Sequence, residues 1–321
     1  MSNELVTEQG ADVFTIDTGY QRRGLVASHL IHHKGRYAFI DVGTSSCLHT
    51  IRLVMSIMKI KPDQVDYVMV THVHLDHAGA AGTLMQELPK AQLVVHPHGA
   101  RHMIDPAKLI DGATAVYGEE RMNNTFGEIL PVAADRVIEA TDEMTLNLNG
   151  RELLFLDTPG HARHHYCVYD ELSQGIFTGD TFGLSYSPLA VNGRSFVFPT
   201  TTPVQFDPEA LHASIDRLVS FKPEKMFLTH FGCLPDPEQA ASQLHQYIDN
   251  FVSIASSIEY TDAGSCTAEL HKALQTYLIV TLRDFGCQMP EQDILPIMSM
   301  DLDLNAQGLC CWLQKQNQSA S

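Results

Sequence analysis

Residues 71–79 read Thr-His-Val-His-Leu-Asp-His-Ala-Gly. Four donor side chains, His72, His74, Asp76 and His77, fall within six residues, directly after the apolar run at 67–70. Imidazole and carboxylate suit zinc, iron or manganese, and the lack of a nearby cysteine argues against a thiolate site. Residues two apart on an extended chain face the same side, so His72 and His74 can aim at one ion. A turn after Leu75 then carries Asp76 and His77 to a neighbouring point. Two ions about 3.5–4 Å apart is the spacing that two-metal hydrolases use. One histidine here would read as a surface residue. Four such side chains together would each need a separate explanation.

Three later segments repeat one arrangement, a polar side chain at the end of an apolar strand beside a glycine or another small residue. Asp157–Thr–Pro–Gly–His161 follows Glu-Leu-Leu-Phe-Leu, and the Pro159-Gly160 turn presents His161. Phe-Thr-Gly-Asp-Thr (177–181) presents Asp180, and Phe-Leu-Thr-His-Phe-Gly (227–232) presents His230. A scaffold projects ligands from a sheet edge into a cleft in this way.

The elements that must carry these residues alternate along the first two thirds of the chain. Strands are expected over 12–19, 24–33, 36–43, 66–72 and 91–96, with a helix over 46–60 and a helical stretch from Asp76 to Leu88. A polar stretch with helical fragments covers 101–130. Strands resume over 136–160, with an Asn149-Gly150 turn, and a hairpin is expected over 166–180. A loop with Gly and Pro fills 183–206, long enough to be a lid. A helix over 207–221 opens with Asp207 and Pro208, and a last strand covers 225–230. Beyond 235 the strand signals vanish and three helices are expected, over 237–258, 265–285 and 291–316, the last broken near Pro296. We therefore divide the chain into residues 1–235 and a helical region, 236–321.

The 321 residues suffice for one large domain or two modest ones. A formal net charge of −17 disfavours nucleic-acid backbones and anionic membranes as partners and leaves a small molecule as the expected one. The N-terminal stretch lacks the basic and apolar regions of a signal peptide, and no apolar run is long enough to span a bilayer. The seven cysteines are scattered, odd in number and form no C-x-x-C pair, which suits a reducing cytoplasm.

In order, THVHLDH, DTPGH, TGDT and LTHFG resemble the successive metal motifs of the metallo-β-lactamase superfamily, and FIDVG (39–43) resembles its opening strand motif. The resemblance covers residues 12–235. It implies an α/β fold, a four-layer αββα sandwich of two mixed sheets with helices outside, here with a helical C-terminal extension. It also implies two divalent ions per chain, zinc first, with iron or manganese as alternatives. By motif, His72, His74 and His161 hold one ion, Asp76, His77 and His230 hold the other, and Asp180 bridges them. Asp41 orients a ligating histidine from behind by hydrogen bonding. His165 matches a histidine found after the T-P-G-H motif in glyoxalase-II-like members and is expected to support the ligands. His164 has no counterpart and is expected at solvent or the pocket rim.

The implied chemistry is hydrolysis by a metal-bridging hydroxide, with Asp76 as a proton relay. The presence of both Asp76 and Asp180 departs from true β-lactamases. His74 stands where the flavodiiron reductases carry a carboxylate. The glyoxalase-II-like thioesterases and the quorum-sensing-associated esterases of this fold carry the motifs and a helical tail. The expected function is thus a dinuclear hydrolase of a small ester, thioester or phosphodiester. The alternative is a flavin-free di-iron oxygen-binding or redox protein. Tyr186 and Arg194 in the 183–206 loop are candidate substrate contacts, whereas Phe196 and Phe198 can equally pack that loop down. The C-terminal helices are a candidate homodimer surface. The histidines at 29–33 and 96–102 read as structural or surface residues.

Overall fold

The structure, a computed structural model, describes residues 5–201 and 203–319. It contains two compact units. The first comprises residues up to Asp157 with His164–Gly179 and Pro223–Pro235, and the second comprises Thr158–Arg163, Asp180–Lys222 and the chain from Asp236 onward.

The first unit holds both sheets. The larger has seven strands in sequence order: β1 (Val6–Gly10), β2 (Val13–Asp17), β3 (Ala27–His33), β4 (Arg36–Ile40), β5 (Val65–Met69), β6 (Gln92–Val95) and β7 (Val137–Glu139). β1 to β4 pair antiparallel, and β4 to β7 pair parallel. The parallel crossovers carry α1 (Leu48–Ile57), α2 (Leu75–Ala78), α3 (Ala81–Glu87), α4 (Pro97–Ile104), α5 (Ala107–Tyr117) and α6 (Glu119–Arg121). The smaller sheet has the order β13-β12-β11-β10-β9-β8, with β8 (Thr145–Leu148), β9 (Arg151–Asp157), β10 (Tyr166–Asp170), β11 (Gly175–Gly179), β12 (Lys225–Leu228) and β13 (Gly232–Leu234).

Strand periodicity sorts the core into two layers. Phe39, Val68, Leu93 and Val95 pack with Leu48, Ile51 and Val54 of α1 and Leu84 of α3. The intervening residues Ala38, Ile40, Met69 and Val94 meet Phe155, Tyr166, Val168, Phe177 and Phe227 of the second sheet. The central strands therefore bury both faces, which is why their sequences are nearly continuous apolar runs. His29 of β3 lies in this inter-sheet layer. Its Nε2 meets the Leu228 carbonyl at 3.1 Å, and burial lowers its pKa to about 4. The histidine motif at 29–33 thus contributes a buried neutral imidazole that ties β3 to β12.

In the second unit, α7 (Pro208–Ser220) and α8 (Pro237–Ser257) each start with an aspartate cap followed by proline. Asp262 caps α9 (Ala263–Phe285), and Gly286 ends it with φ +105°. α10 (Glu291–Ser319) is continuous through Pro296, which corrects the expected break. Pro296 lies in the second turn, where its missing N–H removes one bond. The buried row Ile294, Met298, Leu302, Ala306, Leu309 and Leu313 outweighs that loss. In the 183–206 loop Phe196 and Phe198 are fully buried, and Leu184 and Phe198 exchange backbone hydrogen bonds of 2.9 and 3.1 Å. Together these layers form the αββα sandwich with a helical C-terminal extension. Among the described residues, no helix is long and apolar enough to cross a membrane.

Candidate metal centre

The donor residues lie where strands end. β4 runs into Asp41, and β5 runs into the segment that carries Thr71, His72 and His74. α2 contains Asp76 and His77, and β12 runs into Thr229 and His230. The expected strand over 66–72 stops at Met69. Asp41 is the reason: the Thr71 N–H donates to its Oδ1 at 2.8 Å instead of continuing a ladder. His74 has extended backbone at the start of α2. His72 Nε2 still lies 2.8 Å from His74 Nδ1, so the two rings converge without a regular strand beneath them.

Asp41 is fully buried with φ +51°, a left-handed conformation that aspartate tolerates better than most residues. The Thr71 hydroxyl donates to Oδ2 at 2.9 Å and the Thr229 hydroxyl donates to it at 2.7 Å. His77 Nδ1 lies 2.8 Å from the same oxygen. One carboxylate thus gathers the ends of β5 and β12 and the ring of His77. With the Nδ1–H donated to Asp41, the His77 lone pair sits on Nε2, which faces Asp76 Oδ2 at 3.8 Å. His230 repeats the pattern. Its Nδ1 donates to the Leu25 carbonyl at 2.9 Å, and its Nε2 lies 3.4 Å from Asp76 Oδ2.

Asp76, His77 and His230 bring one donor atom each within 4.8 Å of one another. An imidazole that binds a metal characteristically donates its other N–H to a carboxylate or carbonyl. Both imidazoles of this group do so, and the donor set fits zinc, iron or manganese. Asp76 is the open member, with 21% of its side chain accessible.

The supporting residues surround this group within the first unit. His165 is buried, with its ring 4.9 Å from that of His72. His164, expected at solvent or the rim, is buried as well. Its ring stacks 6.2 Å from His72, and burial lowers its pKa to about 3. It follows a chain segment that turns back into β10, so both neighbouring histidines enter the interior. His96 caps α4, and its Nε2 pairs with Asp157 at 3.1 Å, a structural role. Gly179 has φ +48°, and a Cβ there would lie 2.6 Å from both His165 Nε2 and Thr71 Oγ1. Gly179→Ala is therefore expected to lower stability by about 2 kcal/mol, read as a shift of the urea midpoint with unchanged slope.

In the second unit, His161 Nε2 lies 3.4 Å from Asp180 Oδ2. The His161 turn is held from behind. Gly160 has φ +129°, and a Cβ there would meet the Leu211 backbone at 2.4 Å. The Asp207 N–H donates to the Gly160 carbonyl at 2.8 Å, and Ser214 Oγ donates to the Pro159 carbonyl at 2.6 Å. Tyr186 is buried and donates to Asp301 Oδ1 at 3.1 Å. Arg194 Nη2 donates to the Phe285 carbonyl at 2.9 Å, and the guanidinium lies over the Phe285 ring.

The threonines behind the histidines were missed by sequence reasoning, although a signal existed. Thr-His occurs at 71–72 and again at 229–230, each time at a strand end, and both hydroxyls converge on Asp41.

The family profile of the metallo-beta-lactamase superfamily matches residues 21–230. The chain belongs to that superfamily. Among superfamily members, the metallo-beta-lactamase fold-containing protein ST1585 of Sulfurisphaera tokodaii is 30% identical over 213 residues, 65% of this chain and 73% of that protein. The crystal structure of ST1585 superposes with a TM-score of 0.64 at 22% identity, covering 92% of this chain and 97% of that one. An N-acyl homoserine lactonase of Bacillus thuringiensis is 26% identical over 189 residues, 59% of this chain and 63% of the lactonase. A peroxy diiron species of the chemotaxis sensor ODP shares the fold, with a TM-score of 0.52 at 17% identity, covering 76% of this chain and 97% of that one.

Proposed function

We propose that this superfamily member is a dinuclear metal-dependent hydrolase of a small ester, thioester or phosphodiester. The observation that carries the reading is the Asp76–His77–His230 group, in which Asp41 and the Leu25 carbonyl occupy both Nδ1 atoms and leave both Nε2 atoms facing Asp76. In this reading His72, His74 and His161 hold one ion, Asp76, His77 and His230 hold the other, and Asp180 is shared. These assignments rest on the order of the superfamily motifs. Two such ions supply Lewis-acid polarisation of an acyl or phosphoryl oxygen and activation of water near neutral pH.

The chain's own residues set the conditions for that chemistry. Asp41 fixes the tautomer and tilt of His77, and the Leu25 carbonyl does the same for His230. Asp76 is the accessible carboxylate of its group and can hold a proton passing between the reacting centre and solvent. The buried rings of His164 and His165 exclude water behind His72. The lactonase relative places ester hydrolysis among the activities of this superfamily, and its name is support for an ester rather than an assignment of one. The seven cysteines form no disulfide among the described residues, which suits a cytoplasmic location.

The test is a zinc-loaded and an iron-loaded protein, each assayed on thioesters, lactones and phosphodiesters alongside an absorption spectrum. The expected result is turnover of one ester class by a colourless zinc form. Two irons per chain, an oxygen-sensitive spectrum and no turnover would overturn the hydrolase reading in favour of a di-iron protein. His161→Ala is expected to remove one ion per chain and to abolish hydrolysis. Full metal content and full activity in that variant would refute the ligand assignment.

A further inference from the structure

Far along the chain from the centre described above, α7 and α8 each place a histidine one turn before an aspartate: His212 and Asp216, and His245 and Asp249. The four side chains pair crosswise between the helices. His212 Nε2 lies 3.1 Å from Asp249 Oδ1, and His245 Nε2 lies 3.0 Å from Asp216 Oδ1. The two Nδ1 atoms face each other at 2.6 Å, with the ring planes 15° from parallel.

With each Nε2–H donated to a carboxylate, both Nδ1 atoms carry lone pairs. Two lone pairs at that separation repel unless a shared proton or a metal ion lies between them. The carboxylate–imidazole arrangement on each side is also the one that supports a metal-bound histidine. Two neutral imidazoles and two carboxylates carry a net charge of −2, matching a divalent ion. The side chains of His212 and His245 are 26% and 29% accessible, so an ion can reach them and water can complete its coordination. Zinc–nitrogen bonds of about 2.0–2.1 Å in a tetrahedral shell need the two nitrogens about 3.3 Å apart. Small rotations of two half-exposed side chains supply that opening.

The geometry points to a second metal site, held by His212 and His245 across α7 and α8 and backed by Asp249 and Asp216, that takes a borderline divalent ion such as zinc. Imidazole donors select zinc, copper or nickel over magnesium or calcium. The ion would clip the two helices together, and the site is independent of the reaction proposed above.

Equilibrium dialysis of the full chain against zinc, with metal counted per chain by mass spectrometry, tests the assignment. The wild type is expected to retain one zinc more than His212→Gln or His245→Gln. Asp249→Asn leaves both imidazoles in place and is expected to keep that ion with an affinity lowered about 10–100-fold. Circular dichroism establishes that each variant is folded, and magnesium in place of zinc is expected to add no ion at this position. Equal zinc counts in the wild type and both folded histidine variants would overturn the site and leave the short contact as a proton-sharing imidazole pair. An unchanged affinity in Asp249→Asn would overturn the supporting role of the carboxylates.

Discussion

Asp41→Ala is expected to lower the unfolding free energy by about 3–5 kcal/mol, because several buried donors lose their one shared acceptor at once. The carboxylate accepts from the Thr71 N–H, from the Thr71 and Thr229 hydroxyls and from His77 Nδ1, all in a fully buried setting. Its removal strands these donors together, and an unsatisfied buried donor costs about 1–3 kcal/mol. The same change frees the His77 ring, so metal retention should fall about 10–100-fold. Asp41→Asn keeps the volume and one acceptor oxygen and should therefore lose less stability while still weakening the ion. Urea denaturation in the presence of a chelator reads the structural part, and metal titration reads the rest. A chelated Asp41→Ala protein within about 1 kcal/mol of the chelated wild type would refute this account.

A comparable loss is expected far from the centre. Arg151 and Asp170 are buried, and Arg151 Nε donates to Asp170 Oδ1 at 2.9 Å. The guanidinium also donates to the carbonyls of Ala11 and His32, at 2.8 and 3.1 Å, which joins β9 and β10 to the β1–β2 turn and the end of β3. Arg151→Ala leaves Asp170 charged and buried without its partner and is expected to cost about 3–5 kcal/mol. The double replacement Arg151→Met with Asp170→Leu removes both charges. It should recover most of that loss, because a buried ion pair often adds little over apolar residues of similar volume. Equal destabilisation of the single and double variants in thermal or urea unfolding would show that the carbonyl contacts, not the ion pair, dominate.

The candidate donor residues stand out in the sequence because each occupies a short motif at or just after the end of an apolar strand, where residue type and spacing restrict the chemistry. The two-layer core was legible for a related reason, since a strand buried on both faces has few polar positions. The edge strands were not. β1 reads Val-Thr-Glu-Gln-Gly and is mostly exposed, so its partner β2, not its own pattern, makes it a strand. β13 spans only Gly232–Leu234 and is likewise defined by pairing with β12. The helix over 291–319 was misread at Pro296 because the packing that overrides a proline lies on another element. The burial of His164 was also hidden, since only the path of the chain into β10 turns that ring inward. His212 and His245 drew no notice for a similar reason: a histidine one turn before an aspartate is ordinary until a second helix brings another pair against it.

Asp76 and His77 are made early in synthesis, whereas His230 follows β12, a strand that pairs between β11 and β13. The growing chain can close the group around Asp76 only after residue 230 has left the ribosome and β12 has paired. Contacts so distant in sequence form late, because loop closure must precede them. In the proposed reading, an ion can be held by all three of Asp76, His77 and His230 only after both sheets have paired. If the proposed centre binds an ion, complete coordination by this group is expected on finished chains rather than during their synthesis.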